Sequence, residues 1–518
     1  MRWLGKIFSR LTLISLAIIL QMLWIFVFIF ILSDHYMIIA AIFNLITLIA
    51  AIVIINKSGN PMIKIAWIVP VLVFPLFGGI LYFLSGGKAP KKKLRLALAK
   101  SQEQLSPLNV GNAAPEEIAE QGPCSTLSTG SSNIIGQCRY LEGQGFPLYK
   151  NTNAVYYADC KAGWERMLED LRSAEHFIFL EYFIVHEGKM WNAVLDILTE
   201  KAAAGVDVRL IYDDVGSITY LPRDYDKQME ARGIRCTVFN RYRPVYSVIM
   251  NHRDHHKIFV VDGHIGYTGG ANMSDEYIGE WERFGTWRDN FVRLEGEGVR
   301  GLTLQFLQMW NALHPGEGEG DFAPYMPRPE QVADIRSSGF VQPYSDSPVD
   351  TEVLAENVYL NIINQAVRYV YILTPYLIID YEMTRALCLA AHRGVDVRLV
   401  CPSVPDKKIV FELTKSHYPE LIAEGVKVYS YTPGFVHSKV FVSDDRIAVV
   451  GSVNMDYRSL MLHFENACLF VDHPVVPDVK ADVDAAIAES EEVLPPKKKV
   501  GLLRGLWMGI LRLLAPLL

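Results

Sequence analysis

Disulfide and zinc chemistry have little to work with in this sequence. Seven cysteines (Cys124, Cys138, Cys160, Cys236, Cys388, Cys401 and Cys468) are scattered over 518 residues. Their number is odd, their spacing is wide and no CxxC occurs, which excludes a disulfide framework and a structural zinc site. They read as reduced, buried thiols. Acid is nearly missing from both ends. Residues 1–100 hold eleven Lys/Arg against Asp34 alone, and residues 497–518 hold five Lys/Arg and no acid. Since the whole chain is −7, residues 101–496 carry −22. A body that acidic repels polyanions, which argues against a nucleic-acid binder. With 50% hydrophobic and 21% charged residues, disorder is excluded as the main state.

What is abundant is apolar sequence near the N-terminus. Residues 11–32, 36–55 and 65–84 form three long apolar runs. At 1.5 Å per residue each is long enough for a ~30 Å hydrocarbon core. A cleaved signal peptide is the alternative for the first run, but that run is too long and a second follows almost at once. Pro70 and Pro75 kink the third, leaving it a span or a re-entrant segment. Residues 1–95 are therefore expected to hold two or three membrane helices. Basic residues flank the runs on both sides, so orientation stays open. The closing "PPKKKVGLLRGLWMGILRLLAPLL" is basic and Trp-containing, with Arg504 and Arg512 breaking its apolar run. It predicts an amphipathic helix within residues 491–518, lying on an anionic lipid surface or docked on the protein core.

The remainder repeats itself. "GVDVRL" occurs at residues 205–210 and, letter for letter, at 394–399. Each copy follows a helix-like stretch, and each of those follows an apolar strand, at 176–185 and 369–379. Strand, helix, strand with tight glycine turns is a βαβ unit with parallel strands. An internal duplication into two α/β halves follows: residues 139–322 and 323–490, joined at the Gly- and Pro-rich "HPGEGEGDFAPYMPRPEQ". Residues 96–138, with "PCSTLSTGSSNIIGQ", read as a linker from the membrane region. The acidic run "DVKADVDAAIAESEE" reads as a solvated helix face.

Each half carries the same chemical pattern. The first has His255, Lys257 and Asp262, followed by Asn272; the second has His437, Lys439 and Asp444, followed by Asn454. Along a strand, residues i and i+2 face one side, so each His and Lys project together. An ammonium beside an imidazole suits a phosphate: lysine neutralises its oxygens, the Asn amide donates a hydrogen bond, and the imidazole attacks phosphorus or moves a proton. Two such clusters, brought together by duplicated halves, place an imidazole on each side of one phosphorus. That arrangement supports in-line displacement with no metal required. His252, His255 and His256 invite a metal assignment, but His256 falls on the opposite strand face from His255 and Lys257.

These paired HxKx4D motifs resemble the phospholipase D superfamily. Segments such as "RDHHKIFVVDGHIGYTGGANMSDEYIG", "WRDNFVRLEG" and "VHSKVFVSDDRIAVVGSVNMDYRSL" are similar, in detail, to the bacterial cardiolipin synthases, over roughly residues 36–518. The resemblance implies two phospholipase D-like halves packed about a pseudo-twofold axis behind N-terminal transmembrane helices, in a multi-pass protein of the bacterial cell membrane. It implies a phosphatidyltransferase: His255 attacks one phosphatidylglycerol, glycerol leaves, and the resulting phosphohistidine passes its phosphatidyl group to a second phosphatidylglycerol. His437 is then general acid and base, Lys257, Lys439, Asn272 and Asn454 hold phosphate, and no cofactor is needed. The family places a carboxylate downstream of each His to orient its ring, here Asp289 and Glu465. Asp262 and Asp444, although part of the catalytic motif, read as braces of the local fold. The motif fixes phosphodiester chemistry but leaves water, serine or ethanolamine open as alternative acceptors. The extra apolar segment at the N-terminus departs from the family's usual two.

Overall fold

The computed structural model describes residues 36–74, 78–79, 82, 92–121, 128–242, 251–316, 320–350, 352–495 and 501–517. Two compact units are found. One comprises residues 92–241 and 253–498; the other comprises residues 1–91, 242–252 and 499–518.

The larger unit contains the repeat. Its first half has strands β1 (Thr152–Tyr157), β2 (Phe177–Tyr182), β3 (Asp207–Asp213), β4 (Arg235–Phe239), β5 (Arg253–Asp254), β6 (Lys257–Val261), β7 (Ile265–Gly269), β8 (Thr286–Arg288) and β9 (Phe291–Gly296). The second has β10 (Phe340–Asp346), β11 (Tyr369–Leu373), β12 (Leu377–Ile378), β13 (Asp396–Pro402), β14 (Lys427–Tyr431), β15 (Gly434–Val436), β16 (Val440–Ser443), β17 (Ile447–Gly451), β18 (Met455–Asp456), β19 (His463–Val471) and β20 (Ser490–Glu492). The first sheet runs β1-β9-β7-β6-β2-β3-β4. The second runs β10-β19-β17-β16-β11-β13-β14, the same order, with β20 added at its edge. The expected βαβ units are present. β2 and β3 are parallel around helix Lys189–Ala203, and β11 and β13 are parallel around helix Tyr381–His392.

Strand periodicity explains the layers. Alternate residues of the central strands face opposite sides, and both sides are apolar. Ile258 and Val260 of β6 and Val440 and Val442 of β16 enter one shared core. Helices Val299–Leu313 and Val476–Ala488 contribute to that core between the sheets. The acidic run near residue 480 is thus more than a solvated face: Val479, Val483 and Ala486 are buried, and so is Asp482. Outer helices close separate cores on the far face of each sheet.

Three boundaries differ from the sequence expectation. Residues 96–138 hold ordered helices rather than a bare linker. Leu98 and Leu105 of helix Lys92–Leu105 join the shared core, because they repeat at helical spacing on one face. The joint after residue 322 lies further on, since the Tyr325 ring packs 5.0 Å from Phe177 and its hydroxyl accepts from Arg209 at 2.5 Å. The second half also extends past residue 490, where β20 pairs with β14.

In the smaller unit, helix Tyr36–Asn56 carries no charged residue. Its described side chains start at Ala41. Among the described residues no helix is long and apolar enough to cross a membrane. The run at 11–32 lies outside the described residues. The expected third run yields helix Pro61–Val73, which contains Pro70 and stops before Pro75. Ile54, Trp67 and Val71 pack together in this unit. The C-terminal helix Leu502–Leu514 exposes Leu502, Leu503, Leu506, Trp507 and Ile510.

Candidate active site

The His/Lys motif of each half is pinned by a strand of the other. β5 pairs in parallel with the start of β19, and His255 N–H donates to the Phe464 carbonyl at 2.8 Å. β15 pairs in parallel with β8, and His437 N–H donates to the Arg288 carbonyl at 2.8 Å. Phe435 opposes Trp287 in one pairing; Arg253 opposes His463 in the other. The two contacts are equivalent under exchange of the halves.

This interlock decides which carboxylate serves which ring. His255 Nδ1 lies 2.8 Å from Glu465 Oε2, and His437 Nδ1 lies 2.5 Å from Asp289 Oδ2. The pairing is crossed: each ring is held by a carboxylate from the opposite half. Sequence order, with one carboxylate downstream of each His, does not reveal this. Both carboxylates are fully buried.

Their supports differ. Ser452 donates its hydroxyl to Glu465 Oε2. Gly270 stands at the corresponding place in the first half. A Cβ there would lie 2.0 Å from Asp289 Oδ1, so only glycine leaves room. Asp289 Oδ1 instead accepts from Asn290 N–H at 2.9 Å.

The lysines lie in the same pocket of charge. Lys257 Nζ donates to the His255 carbonyl at 2.7 Å. Lys439 Nζ donates to the His437 carbonyl and sits 2.8 Å from His437 Nδ1. Burial pulls Lys257 down to about 7 and Lys439 down to about 8, against the opposing pull of Glu465 and Asp289. Burial, reinforced by Lys439, brings His437 to about 4. His255 is held well below the ordinary imidazole value by burial first, then by Lys257, His463, Lys439 and His437. These mutual influences mean that both imidazoles and both ammoniums share one electrostatic site.

The two asparagines are not equivalent. Asn272 donates to Tyr277 OH at 2.7 Å and accepts from Ile184 N–H at 3.2 Å. Asn454 Oδ1 is buried with no hydrogen-bond partner among the described residues. Asp262 and Asp444 lie outside the site, although the motif pattern groups them with the catalytic residues. Asp262 accepts from the backbone N–H groups of Glu175, His176 and Phe177, each at 2.8 Å. Asp444 does the same for Val367, Arg368 and Tyr369. Each residue therefore ties the motif hairpin to the start of its neighbouring strand. Asp262→Ala orphans three donors and is expected to cost about 3 kcal/mol of stability, read by denaturant unfolding, with kcat of the folded fraction unchanged.

Comparison with known proteins fits this geometry. The family model described as cardiolipin synthase, phospholipase D-like domain, matches residues 167–296 and again 359–487, half of the chain in all. A cardiolipin synthase of Halalkalibacterium halodurans is 34% identical over 423 residues, 81% of this chain and 82% of that protein. Cardiolipin synthase 2 of Bacillus anthracis is 33% identical over 469 residues, 90% of this chain and 89% of that one.

The chain belongs to the cardiolipin synthase family.

An uncharacterised protein of Streptococcus mutans is more similar still, 42% identical over 470 residues, 90% of this chain and 98% of that protein. The phospholipase D-nuclease N-terminal model matches residues 45–87. The crystal structure of a phosphatidylserine synthase from Haemophilus influenzae shares the fold, with a TM-score of 0.53 at 15% identity, covering 73% of this chain and 96% of that one.

Among the described residues, two side-chain clusters come close enough to suggest a metal: Glu181 with Asp254 and His256, and His255 with His463 and Glu465. In the first, burial lowers the His256 pKa, but Glu181 and Asp254 outweigh it and push the ring up to about 10. His256 Nδ1 lies 2.8 Å from Glu181 Oε1 and 3.1 Å from Asp254 Oδ1, so the ring is held between the two carboxylates. Its side chain leaves the strand opposite to His255, as i, i+1 alternation requires. In the second, His255 Nδ1 is already engaged by Glu465. Sequence reasoning left His463 without a role. The signal was its place two residues before Glu465, on the same face of β19.

Proposed function

We propose that cardiolipin synthesis, the activity of the family, proceeds in this chain as two in-line displacements at one phosphorus. In the first, His255 Nε2 attacks the phosphorus of a phosphatidylglycerol. The bond to the glycerol oxygen breaks, and His437, brought to its imidazolium form when the anionic phosphodiester enters beside it, gives that oxygen a proton. In the second, the free glycerol hydroxyl of another phosphatidylglycerol attacks the phosphohistidine. His437 takes the hydroxyl proton, the N–P bond breaks, and cardiolipin leaves. Two phosphatidylglycerols thus yield one cardiolipin and one glycerol.

The observation that carries this reading is the crossed pairing of imidazoles and carboxylates. Because each Nδ1 is occupied, Nε2 is the nitrogen left for chemistry on both rings. A depressed pKa keeps His255 neutral, as a nucleophile must be. Glu465, pushed up to about 8 by burial and drawn back by Lys257, shares one proton with His255. Phosphoryl transfer to Nε2 favours that proton on Nδ1, where the carboxylate offsets the ring's new charge. Lys257, Lys439, Asn272 and Asn454 hold the phosphate oxygens. Purified protein given labelled phosphatidylglycerol tests the acceptor. Cardiolipin with equimolar glycerol supports the reading; phosphatidic acid would make the chain a phospholipase instead.

A pH dependence follows. As pH rises through about 7 to 8, Lys257 and then Lys439 lose their protons in the free enzyme, and attraction for phosphate weakens. KM for phosphatidylglycerol is expected to rise roughly tenfold between about pH 7 and 9, measured from initial rates at fixed ionic strength.

The reading includes a multi-pass protein of the bacterial cell membrane. Helix Tyr36–Asn56 supports it through exposed Ile42, Leu45, Ile46, Leu48, Ile49 and Ile52. The C-terminal helix, with Arg504 and Arg512 beside an exposed apolar face, suits the headgroup layer.

A further inference from the structure

His463 occupies a position where the neighbourhoods of the two imidazoles differ in kind. Its equivalent under exchange of the halves is Trp287, because Trp287 faces Phe435 as His463 faces Arg253. Trp287 packs against His437 at 5.3 Å between ring centroids, and His463 packs against His255 at 5.6 Å. One site thus places an indole beside its working imidazole, the other a third imidazole.

The carboxylates show what the third imidazole is for. Asp289 uses both oxygens: Oδ2 faces His437 and Oδ1 accepts from Asn290 N–H. In the second half the corresponding backbone donor, Asn466 N–H, goes to Ser452 Oγ at 3.0 Å. Glu465 Oε2 receives both His255 and Ser452. Oε1 is buried with no well-aligned hydrogen bond, the Ser459 hydroxyl helping to draw the Glu465 pKa down, and His463 Nδ1 stands 3.5 Å from it. A buried carboxylate oxygen without a well-aligned donor is costly, and more so once the adjacent ring must carry charge. Such distances commonly shorten when substrate fills a site.

We propose that His463 is a positioning residue: its ring N–H holds Glu465 by Oε1, so that Oε2 stays on His255 Nδ1 while positive charge builds on the His255 ring. The contact replaces the backbone donor that Asp289 has and Glu465 lacks. It would act on kcat, because it matters most when His255 is charged, and leave lipid binding alone. The inference rests on His255 being the nucleophile.

The test compares His463→Phe, His463→Leu and His463→Asn with the wild type, using labelled phosphatidylglycerol in mixed micelles. Phe keeps the bulk and removes the donor, Leu removes the donor in a smaller side chain, and Asn keeps an N–H where Nδ1 was. Phe and Leu are expected to lower kcat about tenfold with KM within about twofold of wild type, and Asn to restore kcat to within about threefold. Unfolding temperatures are compared in parallel to confirm that the variants fold. Equal kcat in Phe, Leu and Asn, whether all active or all impaired, would overturn the role. Wild type that makes no cardiolipin, or whose covalent lipid is not on residue 255, would instead overturn the reading beneath it.

Discussion

His255→Ala and His437→Ala are each expected to lower cardiolipin formation by about four orders of magnitude, but for different reasons that a change of substrate exposes. Glycerol is a poor leaving group and needs the proton from His437. A phosphodiester with a nitrophenolate leaving group does not. With that substrate His437→Ala is expected to recover release of the leaving group to within about a hundredfold of wild type. His255→Ala stays inactive, because no protonation of a leaving group replaces a missing nucleophile. Stopped-flow absorbance of the released phenolate measures both. Recovery in His255→Ala alone would exchange the two roles.

The crossed carboxylates give the second large effect. Glu465→Gln and Asp289→Asn preserve shape but replace an anionic acceptor by an amide, which lets the imidazole take the wrong tautomer. Losses of about 10²- to 10⁴-fold in kcat are expected for each. The leaving-group experiment separates them. Asp289→Asn acts through His437 and is rescued by the phenolate; Glu465→Gln acts through His255 and is not. Double variants give the same answer. Glu465→Gln adds little to His255→Ala, and Asp289→Asn adds little to His437→Ala, because groups that act as a unit are lost together. Had each carboxylate served the His of its own half, the pairs would be reversed.

The contrast marks where sequence stops being informative. His255 with Lys257, and His437 with Lys439, are legible because strand alternation is a local rule. The duplication is legible because GVDVRL is repeated, and the second half reproduces the strand order of the first. Asp262 and Asp444 were readable as braces but carried the motif's catalytic label, which only their backbone partners remove. The crossing of Asp289 and Glu465 was not legible. It depends on β8 meeting β15 and β5 meeting β19, pairings between segments some 150 to 210 residues apart in sequence. The helix at Lys92–Leu105 was missed because Ser, Gly and Pro further along dominated the composition, although Leu98 and Leu105 lie at helical spacing. Gly270 could not be interpreted at all without the 2.0 Å clearance that gives it meaning.

The central claim is that imidazoles from the two halves serve a single phosphorus, one of them covalently. The most direct measurement is a trapped intermediate. His437→Asn protein is quenched after brief exposure to a phosphatidyl nitrophenyl ester labelled in its phosphate, whose leaving group needs no proton, then digested under alkaline conditions and mapped by mass spectrometry. The account predicts one phosphatidyl group per chain, on His255, and none when His255 is also replaced. Label on His437's own position in wild type, or on no histidine while cardiolipin is still made, would contradict it.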